Sequence, residues 1–541
     1  MNPQAPRRGY TRREILIGGV AVVVAACGPG GQVTTTGAGP TTTGAGPTTT
    51  GAGPTTTGGG GATRGGILRL GIAGGGPNDI IDGQHIVDKP DQARLVAGWE
   101  TLLTYDRTFT LTPYLAEEVV AEAGDLYVIR LREGIEFHNG KTLVADDVIY
   151  SLRRLVDPDL GLFGGAALAT MDPEALERVD DRTVRVHLTA PDSTFPDALA
   201  AYVCGMVPDG YTREGEQVGT GPFTLTSFTP GQQSEHARFE NYWQEGKPYL
   251  DGLTLIDFPD DNARVSALLA DQVDAIIDLP FAQVSVIEGN ANYAVFESEG
   301  GGWLPLCMRV DTPPFDDVRV RQAFRLIVNR DEMVARALSG HGRVANDLYA
   351  PFDACYPADL PQRTQDIEEA MRLLDEAGQA GLSVELFTTT SGGMNTVAEV
   401  FAEQARAAGV EVAVRNLGDD FYGDQYLSYA FSTDFWGTRF YLPQVAAGSI
   451  PSSPFNETHW PPEGSNFEEL YNQALAEPDP DARCEIISQM YEEEYNEGGY
   501  IIPFFNNLVD AHHVRVNGLQ PNRDTLNLDH FGRNFTDVWL S

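Results

Sequence analysis

The order of apolar and polar residues predicts alternating strands and helices along most of the chain, and the segment 301–330 shows this most clearly. Residues 303–310 form a short apolar run that is typical of a buried strand. Pro313 ends the strand because proline cannot donate a hydrogen bond to a neighbouring strand, and Asp317 then places negative charge at the positive end of a helix. The helix is predicted from apolar residues at helical spacing, Val320, Ala323, Phe324 and Ile327. We expect this face to be buried and the opposite face to be solvated, with Arg319, Arg321 and Arg325 on it.

The C-terminal half repeats the alternation of helix and strand. Asp366 with Glu369, and Thr396 with Glu399, have the spacing of capping boxes, in which two side chains bond backbone N–H groups at the start of a helix. The residues expected on the buried faces of these two helices are Ile367, Ala370, Met371 and Leu374, then Val397, Val400, Phe401 and Ala408. A glycine follows each helix, and apolar strands are predicted over 382–387 and 410–414.

The N-terminal half begins with a predicted strand over 67–72, and a second strand is predicted over 126–132. The helix after the Asn139-Gly140 turn carries one apolar stripe, Val148, Leu152 and Leu155. Alternation of this kind predicts an α/β fold with an open sheet, in which ligands lie at the carboxyl ends of the strands.

Composition indicates a folded chain of several lobes, since 541 residues are too many for one core and 42% of them are hydrophobic. The formal net charge of -40 disfavours contact with nucleic acid or with an anionic bilayer. We therefore expect no nucleic-acid partner.

The N-terminal residues predict export and lipid anchoring. Residues 11–16, TRREIL, resemble a twin-arginine export motif, and 15–26 form an apolar run too short to span a bilayer. Residues 24–27, VAAC, resemble a bacterial lipobox, which predicts a signal peptide over 1–26 and lipid modification of Cys27. Residues 27–64, with their TTTGAGP repeats, have nothing to bury and predict a flexible tether. Membrane attachment is thus expected through the lipid only.

The remaining cysteines do not predict a disulfide framework. Cys204, Cys307, Cys355 and Cys484 show no CxxC spacing, and twin-arginine substrates usually fold before export. Buried free thiols are expected.

Motifs for catalysis, metals and cofactors are missing from the sequence. It contains no GxSxG, HExxH, Walker or EF-hand pattern. The glycine loop at 74–78 lacks GxGxxG and a helix directly after it, which argues against a nucleotide. His512 and His513 are adjacent and would point to opposite faces of a strand. We expect no catalytic residues, no metal and no cofactor.

Five motifs in order resemble those of the family 5 extracellular solute-binding proteins, the peptide- and nickel-binding subunits of ABC importers. The matching stretches are 131–140 with 146–148, then 219–223, then 241–251, then 273–274, and finally 318–323 with 329–331. The resemblance implies a two-lobed periplasmic-binding-protein-like fold of class II, of the large cluster C type, with an extra N-terminal subdomain. It implies lobe I over 65–302 with the subdomain at about 100–216, lobe II over 303–499, and a return to lobe I over 500–541. Trp303 and Tyr500 would form the hinge.

The resemblance also suggests where a solute binds. Peptide-binding members carry W.AD near the cleft, and their Asp pairs with the peptide ammonium, whereas this chain reads Trp436-Gly437-Thr438-Arg439. An arginine at that position favours a carboxylate, phosphate or other anionic group. The alternative is a shifted register in which Asp434 meets an amine, or an Arg439 that lies on the lobe surface. Phe440 and Asn78 complete the predicted ligand-binding residues.

Two functions remain open at this point. The first is an extracytoplasmic, membrane-anchored receptor, monomeric, that passes a small peptide-like or anionic solute to ABC permease subunits at the outer face of the cytoplasmic membrane or in the periplasm. The second is a surface-anchored enzyme or adhesion module on the same scaffold.

Replacement of Cys27 tests the anchor. We expect Cys27→Ala to release the protein from membranes, because the lipid is the only predicted attachment and the charge of the body opposes adhesion. Fractionation of cells into membrane and soluble protein measures this. Equal membrane retention of the variant and the parent contradicts the prediction.

Overall fold

The computed structural model describes residues 61–523 and 526–541. The predicted signal peptide, Cys27 and nearly all of the tether lie outside these residues. The described strands are β1 (Ile67–Ala73), β2 (Leu103–Tyr105), β3 (Leu111–Pro113), β4 (Ala116–Ala123), β5 (Leu126–Leu131), β6 (Met171–Arg178), β7 (Thr183–Leu188), β8 (Phe223–Thr229), β9 (Gln233–Arg238), β10 (Gly252–Phe258), β11 (Ala275–Ile276), β12 (Tyr293–Gly302), β13 (Leu306–Met308), β14 (Gly342–Val344), β15 (Ser383–Thr388), β16 (Glu411–Asn416), β17 (Phe431–Thr433), β18 (Tyr500–Ile501), β19 (Phe504–His513), β20 (Val516–Asn517) and β21 (Trp539–Leu540).

The described right-handed helices are α1 (Lys89–Gly98), α2 (Ala145–Leu155), α3 (Phe195–Ala198), α4 (Asp261–Leu269), α5 (Val284–Glu288), α6 (Val318–Ile327), α7 (Arg330–Ala337), α8 (Ile367–Glu376), α9 (Met394–Ala405), α10 (Tyr441–Gly448), α11 (Phe467–Ala476) and α12 (Pro480–Glu497). The segment Asn527–Asn534 is also helical but has positive φ angles. Within the described part of the chain, no helix is both long and apolar enough to span a bilayer.

A large mixed sheet contains the first described strand, β1, and the long strand β19. Its strand order is β12-β19-β11-β1-β10-β9-β8, and β14 pairs with β19. β1 lies parallel to both β10 and β11, and its alternate residues Leu68, Leu70 and Ile72 are buried. After β12, the chain returns to this sheet at β14 and again at β19, which follows β18 by only two residues.

A four-stranded antiparallel sheet, β4-β5-β7-β6, follows β1 in sequence. Helix α2 contacts β6 and β7. Val148 and Leu152 are fully buried and Leu155 is 1% exposed, which confirms the predicted stripe.

A second sheet has the strand order β16-β15-β17-β13-β18. Its strand β13 is shorter than the predicted run of residues 303–310, and Trp303 instead forms an isolated bridge with Trp436. Pro305 lies between the bridge and β13, and a proline cannot donate to a ladder.

The two predicted capping boxes differ in outcome. The Asp366 side chain accepts the Glu369 N–H as expected. Helix α9 instead begins at Met394, after Gly393 with φ 81°, so the predicted start at Thr396 is wrong because a left-handed glycine turn begins the helix earlier. Met371, predicted to be buried, is 51% exposed.

Helix α6 buries two arginines that the sequence pattern placed in solvent. Val320, Ala323, Phe324 and Ile327 are buried as predicted, but Arg321 and Arg325 are only 3% and 1% exposed. Arg325 donates to the carbonyls of Glu494, Tyr495, Gly498 and Tyr500, and Arg321 donates twice to the carbonyl of Glu497. The last carbonyls of a helix have no partner within the helix and carry partial negative charge. These guanidinium groups therefore bind the end of α12 and the entry to β18.

The cysteines also differ from expectation. Cys355 and Cys484 form a disulfide, with Cα atoms 5.0 Å apart, so the expectation of free thiols is wrong for this pair. The fold brings the 351–358 loop onto the first turn of α12, a proximity that cysteine spacing does not reveal. Cys204 and Cys307 are buried thiols outside this disulfide, as expected.

Replacement of Arg325 tests the role of the buried guanidinium. We expect Arg325→Met to lower the free energy of unfolding by about 3 kcal/mol, because buried carbonyls that lose their donors each cost about 1–3 kcal/mol. Arg319→Met is the matched control, since Arg319 lies on the same helix with a 43% exposed side chain paired to Asp317. The control should lose much less, because exposed ion pairs contribute little to stability. Denaturant unfolding measures both variants, and equal losses contradict the prediction.

Candidate functional site

An aromatic cluster joins two of the places where the chain passes between the two main sheets, after β12 and at β18. Trp303 N donates to Trp436 O and Trp436 N donates to Trp303 O, each at 2.9 Å. The two indole rings stack with centroids 5.9 Å apart, and Tyr500 meets Trp303 edge-on at 5.2 Å. Tyr349 stacks on Trp303 at 5.7 Å and on Tyr441 at 5.3 Å. We call these five residues the crossing cluster. It includes both residues of the predicted hinge.

A buried carboxyl group lies beside this cluster. Glu494, on α12, accepts the hydroxyls of Tyr349 and Tyr441 at 2.5 and 2.7 Å. Burial raises the pKa of Glu494 to about 7, and the two tyrosine hydrogen bonds oppose that rise. At neutral pH the group is therefore close to half-protonated.

Arg439 lies in the segment that connects β17 to α10. It is 4% exposed, its guanidinium carbon lies 4.9 Å from the centre of the Trp436 ring, and its Nη1 donates to Gln444 Oε1 at 3.2 Å. Gln444 is 1% exposed, and its Nε2 has no hydrogen-bond partner among residues 61–523 and 526–541. Arg439 and Gln444 thus place N–H donors side by side in a buried position. Such a pair suits a ligand that brings acceptor oxygens.

The same segment packs against the N-terminal half of the chain. Phe440 lies 4.6 Å from Phe109 and 5.9 Å from Tyr105, measured between ring centres. Burial raises the pKa of Tyr202, and the positive charge of Arg439 opposes that rise, so the two groups are neighbours. Arg439 therefore lies at the seam between the two halves and not on a lobe surface.

Asp434 lies directly after β17 and is fully buried. Its Oδ2 accepts the Tyr426 hydroxyl at 2.8 Å and its Oδ1 accepts the Phe435 N–H at 2.8 Å. The Tyr426 hydroxyl is also 3.4 Å from Glu457, which accepts the Tyr500 hydroxyl at 2.5 Å. The site thus has an acidic side at Asp434 and Glu457 as well as the basic side at Arg439.

The remaining predicted site residues divide between two places. Gly437 is half-buried between Trp436 and Thr438, where the Thr438 hydroxyl accepts the Gly301 N–H at 2.9 Å. Asn78 is exposed in the turn after β1. Its neighbour Asp79 pairs with the buried Arg94, and no described contact joins Asn78 to the Trp436–Phe440 segment.

A cavity of about 650 Å³ lies away from Arg439. Its lining comes from β2, β3, β4 and the segment between α11 and α12, and includes Tyr127, Ser193 and Arg483. Its lining does not include the crossing cluster or the predicted ligand-binding residues. We place the candidate site at the seam because it contains the buried donors of Arg439 and Gln444 and, on its other side, the buried carboxyl groups of Asp434 and Glu457.

Sequence reasoning missed Gln444, Tyr202 and Glu457. No motif marks these residues, and their role follows from packing across long sequence separations. Only Gln444 lies near a predicted residue, five positions after Arg439.

The titration of Glu494 gives a pH-dependent test. Because burial raises the folded pKa of Glu494 to about 7, above the ordinary glutamate value of 4.5, the folded state keeps this proton to a higher pH than the unfolded state does. Its contribution to stability is therefore complete below pH 4.5 and is lost as pH rises to about 7. We expect Glu494→Gln to reduce this loss by about 3 kcal/mol, at 1.36 kcal/mol per pKa unit.

Unfolding free energies measured from pH 4.5 to 7.5 test this expectation. Glu492→Gln, at an exposed position of the same helix, is the control and should keep the parent slope. A Glu494→Gln variant with the parent slope would contradict the assigned protonation.

Comparisons with known proteins identify the family of this chain. The model of the bacterial extracellular solute-binding proteins, family 5, middle region, matches residues 110–463. The glutathione-binding protein GsiB of Escherichia coli K12 is 26% identical over 468 residues, which cover 81% of this chain and 89% of GsiB. The solved structure of CtaP from Listeria monocytogenes has a TM-score of 0.79 at 18% identity and covers 88% of this chain and 100% of CtaP. AgaA from A. tumefaciens R10, solved with agropinic acid, has a TM-score of 0.72 at 22% identity and covers 88% of this chain and 99% of AgaA. The chain belongs to family 5 of the bacterial extracellular solute-binding proteins and has their two-lobed fold.

Proposed function

We propose that this protein, a solute-capturing subunit of an ABC importer, selects a small solute with an acidic group and holds that group at Arg439. The observation that supports the acidic group is the pair of buried donors, Arg439 and Gln444, at the seam between the lobes. A carboxylate can accept two parallel N–H groups from a guanidinium, which gives both energy and orientation.

The position of Arg439 favours an acid over an ordinary peptide ammonium. An ammonium placed beside Arg439 would meet a like charge in a buried environment, which is costly. The acidic side at Asp434 and Glu457 is the place where an amine would bind if the solute carries one. In this structure both carboxylates already accept tyrosine hydroxyls.

Two of the similar proteins are described with acidic ligands. GsiB is named for glutathione and the AgaA structure holds agropinic acid, and both compounds carry carboxylates. The DppA structure from Helicobacter pylori holds the peptide STSA. These ligands belong to those proteins, and they support a small peptide-like or opine-like acid as the class to test here.

We infer that the lobes close on the solute about the crossing cluster. The lobe limits that we propose are those of the sequence analysis, with the chain crossing near Trp303 and returning near Tyr500. Domain closure about a few residues at element ends is a common response to a ligand. Small-angle scattering during solute titration measures it, and an unchanged radius of gyration at saturation contradicts closure if the free form is open.

The anchor is part of the proposal. A lipid on Cys27 and the 27–64 tether would keep the binding lobes close to the membrane that holds the permease. A short flexible tether of this kind raises the effective concentration of the partner.

An enzyme or adhesion module on the same scaffold is the competing function. The absence of catalytic motifs from the sequence and the family membership favour binding. Stabilisation by a solute that is recovered chemically unchanged supports binding, and turnover of that solute would support the enzyme.

Replacement of Arg439 tests the selected group. The solute is first identified by mass spectrometry of whatever co-purifies with the protein. We expect Arg439→Ala to weaken its binding by about 30-fold to 4,000-fold, because loss of one partner of a buried charge pair costs roughly 2–5 kcal/mol, at 1.4 kcal/mol per tenfold. Arg439→Asp should weaken it further. Calorimetric titration measures both variants.

Arg415→Ala is the control, because Arg415 is exposed on β16 and pairs with Glu385. It should bind like the parent. Two results contradict the proposal: a bound solute without an acidic group, and an Arg439→Ala variant that binds within about threefold of the parent. In either case Asp434 is the next residue to test.

A further inference from the structure

We propose that Arg343 forms a second subsite for an acidic group, so that the solutes of this protein carry two acidic groups. This inference rests on the proposed function, in which Arg439 holds the first acidic group.

Arg343 is held between two aromatic rings. It lies in β14 and pairs with Phe505 of β19. Its guanidinium carbon is 5.2 Å from the centre of the Phe505 ring and 4.9 Å from the centre of the Phe352 ring. Stacking of this kind leaves the N–H groups at the guanidinium edge as the means of binding a further group.

Those N–H groups have no protein partner. Nη1 and Nη2 of Arg343 are buried and make no hydrogen bond to any described residue. Buried polar groups are almost always paired, and an unpaired charged group is costly. Burial accordingly lowers the pKa of Arg343. An acceptor from outside the chain would remove this cost.

The neighbouring charges leave a positive excess at this place. Glu299 attracts the charge of Arg343, but it pairs with Arg523 at 2.9 Å, and both side chains are about half exposed. Arg523 also lies 5.1 Å from the Phe352 ring. Among the described residues, two arginines thus share the Glu299 carboxylate. A local excess of this sign attracts an anion.

Two short series of contacts link Arg343 to the Arg439 site. A Cβ placed on Gly301 would lie 3.1 Å from Phe352 and 2.8 Å from Thr438, the residue before Arg439. On a second path, the Phe109 ring is 6.1 Å from Phe352 and 4.6 Å from Phe440, the residue after Arg439. Arg343 and Arg439 therefore both border one connected group of aromatic rings. The inference is that a solute with two acidic groups meets one arginine with each of them.

A set of probes that differ in the number of acidic groups tests the inference. The two-acid probes are succinate, glutarate, adipate and glutathione, so that the span between the acidic groups varies. The one-acid probes are the monoamides of the three dicarboxylates and the monoethyl ester of glutathione. Binding is measured by calorimetry at constant ionic strength on the parent, Arg343→Gln, Arg439→Gln and Arg415→Gln, the last being an exposed control.

We expect the parent to bind at least one two-acid probe about tenfold or more tightly than its monoamide. Arg343→Gln should reduce that preference to about threefold or less. Its affinity for the monoamide should stay within about threefold of the parent value. Arg415→Gln should keep the parent preference. A structural role for Arg343 would instead weaken both members of a pair equally. Arg343→Lys, which keeps the charge but not the planar fork, should retain part of the preference.

Three results overturn the inference. They are equal binding of two-acid and one-acid probes by the parent, a preference that survives in Arg343→Gln, and an equal loss for both members of each pair. If one-acid probes bind and depend on Arg439, the proposed function stands and only the second subsite fails. If no probe of either kind binds, both fail.

Discussion

The mutual main-chain hydrogen bonds of Trp303 and Trp436 hold the candidate site in place. Trp303 directly follows β12 of the large sheet, and Trp436 lies in the segment that leads to α10. The indole stack and the edge contact of Tyr500 bring both chain passages to the same point. Arg439 takes its position from this arrangement, because its guanidinium lies over the Trp436 ring. A rotation at the crossing would therefore move the binding group together with the lobe.

Several ionisable groups around the crossing are buried, and specific hydrogen bonds offset the cost of burying Arg325 and Glu494. Arg325 binds four carbonyls near the end of α12, whereas Glu494 accepts two tyrosine hydroxyls and has its pKa raised to about 7. Burial without partners is costly for a charged group. Gln444 and Arg343 differ from these groups, since each keeps buried N–H donors without a partner among the described residues. This difference is the reason that the proposals above use these two side chains.

Much of the fold could be predicted because its signals are local. The spacing of Val320, Ala323, Phe324 and Ile327 gave the buried face of α6, and the ordered motifs gave a family that the comparisons confirm. The errors involve partners distant in sequence. Arg325 is buried because the carbonyls of 494–500 reach it, and Cys355 is oxidised because α12 brings Cys484 beside it. For the site, Trp436 and Arg439 could be named from the motif, but Gln444 and Arg343 could not, since burial without a partner is a property of the packed molecule. The role of every named site residue stays a prediction.

Arg321 and Arg325 donate to carbonyls and not to carboxylates, so the contacts that hold the crossing should depend little on ionic strength. Mobile ions screen interactions between exposed charges over a Debye length of about 8 Å at physiological ionic strength, but they screen a buried guanidinium–carbonyl bond much less. The junction of α6 with the end of α12 depends on such bonds, in which the acceptor is a dipole that neither titrates nor binds a counterion. An extracytoplasmic protein meets changing ionic strength. Its crossing should keep its geometry as salt rises, whereas the field of the net charge of -40, which opposes the approach of any anion, should weaken.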